Sequence, residues 1–247
     1  MKRIETLVSL TIFIFVLSFA IYGYSEEITL NAEIQSKYLG RGELPTDGPV
    51  FQPSINFENK GFTINVWGSM DLDDVNANKN EFNELDLTLE YAWSYEEFDL
   101  SAGLILYSFP NTVAENTGEV YLGITGNYKL SPSITLFYDY EEGNGLYASF
   151  DIGHNSPHLR ISDNATCEVC FNAGIGWADS NMTNFLFGVD DSALSDFHAA
   201  LKVPIALSES WTIEPSVSVS TLLDSSVKDA ADNNGNASMG INVSYIF

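Results

Sequence analysis

The chain has 247 residues, with 10 Lys and Arg against 34 Asp and Glu, and its formal net charge is −24. A protein this acidic lacks the basic surface that nucleic acids and anionic lipids bind, so both are excluded as ligands. The mean hydropathy is nevertheless close to zero, which indicates that apolar residues are concentrated on one surface. The length allows one sizeable domain.

The chain begins with the features of a secretory signal peptide. Two basic residues open it, residues 7–22 form an apolar run, and Gly23 and Ser25 are the small residues that signal peptidase reads. We predict cleavage after Ser25, which leaves a domain of residues 26–247 with a net charge of −25. An uncleaved anchor is the alternative, but the run is short for a spanning helix, which needs about 20 residues.

The domain is a succession of segments in which apolar and polar residues alternate. Alternation with a period of two places one side-chain type on each face of a β-strand. Segments of about ten residues with this period, separated by turn residues, are typical of transmembrane β-barrels. We predict twelve strands, at residues 28–38, 50–57, 62–72, 84–93, 98–107, 119–128, 133–140, 145–153, 170–178, 197–203, 211–223 and 237–247.

The last strand indicates how the barrel closes. Residues 237–247 carry apolar side chains on one face, and Ser238, Gly240, Asn242 and Ser244 on the other, and the chain stops at Phe247. A terminal Phe of this kind is the feature that the outer-membrane insertion machinery recognises, so we predict that machinery as a partner. A soluble β-sandwich is the alternative fold, but its core requires large apolar residues, whereas the second face here is rich in Gly, Ser, Asn and acidic residues.

The connections between the strands test the predicted topology. With twelve strands both termini lie on the periplasmic side of the outer membrane, and long loops alternate with short periplasmic turns. Short turns are predicted at 58–61, 94–97, 129–132 and 207–210, and long loops at 39–49, 73–83, 109–118, 179–195 and 224–236. A short outer connection at 141–144 and a long periplasmic one at 155–166 depart from this rule, so ten and fourteen strands are kept as alternatives.

Charged side chains on the polar face are candidates for a pore lining. Unpaired carboxylates in a low dielectric are costly and require water or cations, so an acidic inner face favours a hydrated, cation-preferring lumen. The apolar face of the strands is expected to contact lipid, so we predict the bilayer of the outer membrane as a partner. The predicted pore-lining residues are Glu84, Asp86, Glu90, Asp99, Glu119 and Asp139, with Arg41 and Lys202 as opposing charges.

Cysteine and histidine give no signal for catalysis or for a cofactor. Cys167 and Cys170 are interpreted as a local disulfide, because exported proteins meet an oxidising compartment; no second pair exists for a metal site, and Phe171 stands where haem attachment needs His. The three histidines are interpreted as packed or solvated side chains. No Ser or Asp lies in a recognisable nucleophile motif. We therefore predict neither an enzyme, nor a metal site, nor a cofactor.

A set of short blocks resembles a known family. In order along residues 36–154, the blocks are Ser36-Lys37-Tyr38-Leu39-Gly40-Arg41-Gly42, Thr46-Asp47-Gly48-Pro49, Gln52-Pro53-Ser54, Gly61-Phe62, Trp67-Gly68-Ser69, Glu84-Leu85-Asp86, Tyr107-Ser108-Phe109-Pro110 and Glu119-Val120-Tyr121. They are similar to the TorF family of porins. The resemblance implies an outer-membrane barrel with a role in transport, and it brings no catalytic residue or cofactor.

The sequence therefore predicts an all-β, antiparallel, up-and-down outer-membrane barrel. Its predicted function is the passive passage of small hydrophilic solutes, with a preference for cations. The alternative is a closed barrel with a structural or partner-binding role through its extracellular loops, because a narrow barrel is readily filled by its own side chains. Neither the solute nor the oligomeric state follows from the residues.

Overall fold

The computed structural model describes residues 27–77, 79–162, 165–231 and 233–247. The predicted signal peptide, residues 1–25, lies outside the described residues, so its prediction is untested. Within the described parts the chain is dominated by antiparallel strands, joined by two short helices and a few short strand segments.

Twelve long strands form the wall, as the alternation predicts. Their bounds fall within a few residues of the predicted ones, and the odd connections at 141–144 and 155–166 do not change the count. The strands are β1 (Glu27–Gln35), β2 (Val50–Asn59), β3 (Phe62–Asp71), β4 (Phe82–Tyr95), β5 (Phe98–Ser108), β6 (Thr117–Gly126), β7 (Ser133–Asp139), β8 (Leu146–Asn155), β9 (Cys170–Ala178), β10 (Ala193–Lys202), β11 (Trp211–Leu222) and β12 (Gly235–Ile246).

The wall is closed, because the first strand pairs with the last. Strand β12 pairs antiparallel with both β11 and β1, and its register with β1 aligns Leu30 with Tyr245 and Ala32 with Val243. At this seam the Ser244 hydroxyl donates to Asn31 Oδ1 at 2.8 Å. A closed barrel has no unpaired strand edge, and the fold is the predicted transmembrane β-barrel.

The two faces of each strand differ as the sequence predicts. On β4, Leu85, Leu89 and Trp93 each leave about 40% of their surface exposed on the outside of the barrel, whereas Glu84 on the inner face is buried. At the rim where β1 begins and β12 ends, which we call the rim of the termini, the rings of Trp211 and Tyr245 lie 4.7 Å apart. Apolar outer faces that end in aromatic residues are the pattern of a barrel wall facing lipid.

The two rims are finished differently. Short turns close the rim of the termini, where the segments Leu159–Arg160, Thr166–Cys167 and Ile205–Ala206 extend the sheet beyond the start of β11. The opposite rim, which we call the loop rim, carries the helices α1 (Ser180–Phe187) and α2 (Ser225–Ala230). The side chains of Asp179 and Asp224 cap the N-termini of α1 and α2, where each accepts a hydrogen bond from a backbone N–H group.

Small apolar clusters hold these helices on the barrel. Met182 of α1 packs with Tyr147 and Ala178, and Val227 of α2 packs with Ala193 and Leu222. These two helices therefore cover part of the loop rim. Among the described residues, no helix has the length and apolar composition needed to cross a membrane.

Candidate functional site

The connection between β1 and β2 folds into the barrel. Its segments Tyr38–Gly40 and Glu43–Thr46 pair as a hairpin, which we call the L1 hairpin. At its tip Arg41 and Gly42 both adopt left-handed backbone angles, with φ of 48° and 86°. A side chain at Gly42 would meet Leu222 of β11 at 2.7 Å and Asp196 of β10 at 3.0 Å. The tip therefore lies against strands from the second half of the chain.

Arg41 fixes the L1 hairpin to strand β6. Its guanidinium forms two hydrogen bonds to the Glu119 carboxylate, of 2.5 and 2.7 Å, and lies over the rings of Phe137 and Tyr147 at 4.6 and 4.7 Å. The Tyr107 hydroxyl donates to the same carboxylate at 2.8 Å. Burial alone would lower the pKa of Arg41, but the bonds and charge of Glu119 raise it above its usual range. The pair forms a fixed crossbar in the lumen.

The other arm of the hairpin is tied to strand β3. Thr46 and Asp71 are both fully buried, and the Thr46 hydroxyl donates to Asp71 Oδ1 at 2.9 Å. Asn76 and Asn83 donate to the same carboxylate at 2.9 and 2.8 Å. The L1 hairpin is therefore bonded to both sides of the barrel.

The carboxylates of β4 form a column on the inner face. Glu84, Asp86 and Glu90 alternate with outward apolar residues; the Tyr121 hydroxyl donates to Glu90 at 2.7 Å. One oxygen of Asp86 is buried and has no hydrogen-bond partner among the described residues. Glu43 of the L1 hairpin lies in the same region, and burial, with help from Glu84, raises its pKa to about 7. We call Glu84, Asp86 and Glu90 the β4 acidic column.

The remaining predicted pore-lining residues lie at the two ends of the barrel. Asp139 lines the space under the loop rim, but its carboxylate is 1% exposed and accepts the Thr117 hydroxyl at 2.7 Å and the backbone N–H of Glu141 at 2.9 Å. It holds the short connection after β7 in place. Asp99 is exposed near the rim of the termini and accepts the Ser94 hydroxyl at 2.6 Å.

Two other predictions concern the rim of the termini. Lys202 is about half exposed and lies 3.3 Å from the Glu214 carboxylate. The predicted disulfide is not formed in the structure, where Cys167 and Cys170 are free thiols. The two residues pair with different partners, Cys167 with Ile205 and Cys170 with Lys202, because they lie on separate strand segments.

A histidine cluster on the lumen wall is a feature that sequence reasoning missed. His198 contacts Asp151 Oδ1 through Nε2 at 2.7 Å and Asp196 Oδ2 through Nδ1 at 2.9 Å. Tyr147 donates to Asp196 at 3.0 Å. Both ring nitrogens are occupied by carboxylates, so neither is free to act as a base toward a nucleophile.

A glycine makes this cluster possible. Gly174 lies between Asp151 and His198 in the strand register, and a Cβ there would lie 2.1 Å from the Asp151 carboxylate. Without a side chain at that point, Asp151 reaches across β9 to His198 on β10. The two partners are 47 residues apart in the chain, so no local pattern in the residues indicates the cluster.

The L1 hairpin separates two spaces in the lumen. Toward the loop rim lies a vestibule of about 890 Å³, which Glu43, Glu84, Tyr107 and Glu119 help to line. Beyond the hairpin lies an inner cavity of about 380 Å³, bounded by strands β7 to β11. Gly40 and Arg41 belong to the walls of both spaces. Arg41 therefore lies between the two spaces.

The described side chains form no group of three or more His, Cys, Asp or Glu arranged to hold a metal ion. The structure shows a polar lumen that the L1 hairpin narrows and that charged side chains line, several of them in ion pairs. It is the architecture of a transmembrane barrel that either conducts solutes past a constriction or is closed by it.

Comparison with known proteins agrees with this class. Residues 28–247 match the family model described as MltA-interacting protein MipA, and the chain belongs to that family. The blocks that resemble TorF porins thus lie in a chain whose family model carries another name, and the TorF resemblance stays a prediction. Comparison with curated proteins found no match.

Two solved structures share the fold. The KdgM porin is 13% identical with a TM-score of 0.53, over 89% of this chain and 98% of that chain. LpxR from Salmonella typhimurium is 7% identical with a TM-score of 0.57, over 89% of this chain and 100% of that chain. At these identities the likeness concerns the fold alone.

Proposed function

We propose that this protein is an outer-membrane, porin-like channel for the passive passage of small hydrophilic solutes, with its termini in the periplasm. The observation that carries the proposal is the pair of spaces on either side of Arg41, within one closed barrel with a polar inner face. A solute that enters the vestibule has only the L1 hairpin between it and the inner cavity. The porin fold of KdgM supports this function.

We further propose that the channel prefers cations. Most inner charges are paired: Arg41 with Glu119, Lys202 with Glu214, and His198 with two aspartates. Within the described parts of the chain, no basic side chain forms an ion pair with the β4 acidic column. These carboxylates make the wall beside the L1 hairpin acidic. Acidic side chains at a narrow point attract cations and repel anions.

Planar bilayer recording of the purified full chain tests both proposals. We expect discrete conductance steps. In a salt gradient we expect a reversal potential whose sign shows that cations permeate better than anions. Replacing Glu84→Gln together with Asp86→Asn should move that potential toward zero. Asp99→Asn, which neutralises an exposed carboxylate at the far rim, is the matched control and should leave it unchanged. An unchanged potential in the double variant would contradict the role of the β4 acidic column.

A closed barrel that binds a partner is the second candidate. The observation that favours it is the anchoring of the L1 hairpin at both ends, by Thr46 to Asp71 and by Arg41 to Glu119. The family name describes a protein that interacts with MltA. A folded wild-type protein that is silent in bilayers, with steps only after Arg41→Ala, would favour closure. Copurification with MltA, lost on changing exposed loop residues, would then support partner binding.

A further inference from the structure

The inner cavity has a wall of mixed polar chemistry. Strands β7 to β11 contribute Thr135, Ser149, Asn172, His198 and Ser220, and the L1 hairpin closes the side toward the vestibule. The volume of about 380 Å³ is at the small end of the range of about 300–1,000 Å³ typical of ligand pockets. It is suited to one small molecule with a few waters, and it is too small for a polymer.

The charges in this wall are already neutralised by the protein. Arg41 is engaged by Glu119 in two hydrogen bonds. Asp151 is bonded to His198 and accepts the Ser149 hydroxyl at 2.5 Å. A charged ligand would have to break one of these bonded pairs, and leaving a partly buried charge without its partner is costly.

The groups that are left over are neutral. Within the described residues, Thr135, Asn172 and Ser218 form no side-chain hydrogen bond, although each lines the cavity. The Ser220 hydroxyl is also without a partner, and Ser220 is 8% exposed. A buried hydroxyl that lacks a hydrogen bond is unfavourable, so a solute that supplies one is stabilised there. The free hydroxyls and amide lie on three strands, β7, β9 and β11, that surround one space.

We propose that the inner cavity is a binding site for an uncharged, polyhydroxylated solute the size of a single sugar ring. Hydroxyl groups of the solute both donate and accept, which matches three free protein hydroxyls and one amide. The paired charges hold the wall in shape and exclude acidic and basic analogues. The inference names the solute class of the proposed channel and in that sense rests on it, although binding does not require conduction.

Calorimetric titration of the detergent-solubilised full chain with D-glucose tests the site. We expect saturable binding, with D-glucuronate and D-glucosamine at least tenfold weaker because each brings a charge. Ser220→Val should weaken glucose binding about tenfold or more, by removing a hydroxyl and adding bulk at the wall. Ser216→Val is the matched control: Ser216 is equally buried, on the same face of β11, and also lacks a partner, but it does not line the cavity.

Asn172→Leu gives a second test that does not depend on a buried position, because Asn172 is exposed in the lumen. Folding of every variant is checked by the shift in gel mobility between heated and unheated samples. Absence of saturable glucose binding, equal affinity for the charged analogues, or unchanged affinity in both Ser220→Val and Asn172→Leu would overturn the proposal. Conductance without glucose binding would reject the site alone, whereas glucose binding by a silent barrel would reject the channel alone.

Discussion

The contact between Arg41 and Glu119 supports the sharpest prediction, because one substitution removes the whole crossbar. Arg41→Ala deletes two hydrogen bonds to the carboxylate and two cation–ring contacts. It leaves Glu119, whose side chain is 3% exposed, with the Tyr107 hydroxyl as its only side-chain partner among the described residues. The L1 hairpin then keeps its anchor at Thr46 and loses the one at its tip.

The magnitude follows from the burial of the two partners. Removing one member of a buried ion pair destabilises a protein by about 3–5 kcal/mol. Since the Arg41 side chain is 24% exposed, water screens the pair in part, and we expect a loss at the lower end, about 3 kcal/mol. The exposed pair of Lys202 and Glu214 provides the control, and Lys202→Ala should change stability by about 1 kcal/mol or less.

Urea-induced unfolding in lipid vesicles, followed by tryptophan fluorescence, measures both values. Combining Arg41→Ala with Glu119→Gln should recover part of the loss, because the second change removes the orphaned charge. In bilayers the single variant should conduct more than wild type, since the narrow point has lost its side chain. A destabilisation below 1 kcal/mol, or independent effects of the two substitutions, would refute the crossbar.

Two further predictions concern the L1 hairpin and the cysteines. The pKa of Glu43 is raised by burial to about 7, from 4.5. Between these values the folded chain holds a proton that the unfolded chain has released, so the contribution to stability is full below pH 4.5 and is lost as the pH rises through 7. Glu43→Gln should flatten the dependence of the urea midpoint between pH 5 and 8; an identical slope in wild type would contradict the assignment. Cys167 and Cys170 should both react with maleimide without a reductant, and protection of both until reduction would instead show a disulfide.

The barrel itself was predictable because its signal is local. In each strand the residues facing lipid are apolar and those facing the lumen are polar, so the two types alternate, as in the run from Glu84 to Trp93. The turns between strands contain the usual polar residues. The long connection at 155–166 departs from the rule of short turns because it contains short strand segments that extend the sheet at one rim. It does not change the number of long strands.

The site was predictable only in part, because its contacts are distant in the sequence. The charged inner residues were identified from their strand face, and Arg41 was predicted to face the pore, but Arg41 and Glu119 are 78 residues apart, and no local pattern indicates that they pair. Asp139 shows the opposite case: its face was predicted, yet its carboxylate serves the backbone of the next connection. The face on which a side chain lies follows from its own strand, whereas the partner that it binds depends on how the strands come together in the closed barrel.

The position of the L1 hairpin beside the seam sets an order on assembly. The hairpin leaves directly from β1, and the Ser238 hydroxyl of β12 donates to the Lys37 carbonyl across a separation of 201 residues. Its tip also meets Asp196 of β10 and Leu222 of β11, so these contacts require the second half of the chain to have folded. Contacts between distant residues form late because long loops must first be ordered. We therefore expect the docking of the hairpin tip against β10 and β11 to be a late step of folding, after the anchor between Thr46 and Asp71 has formed.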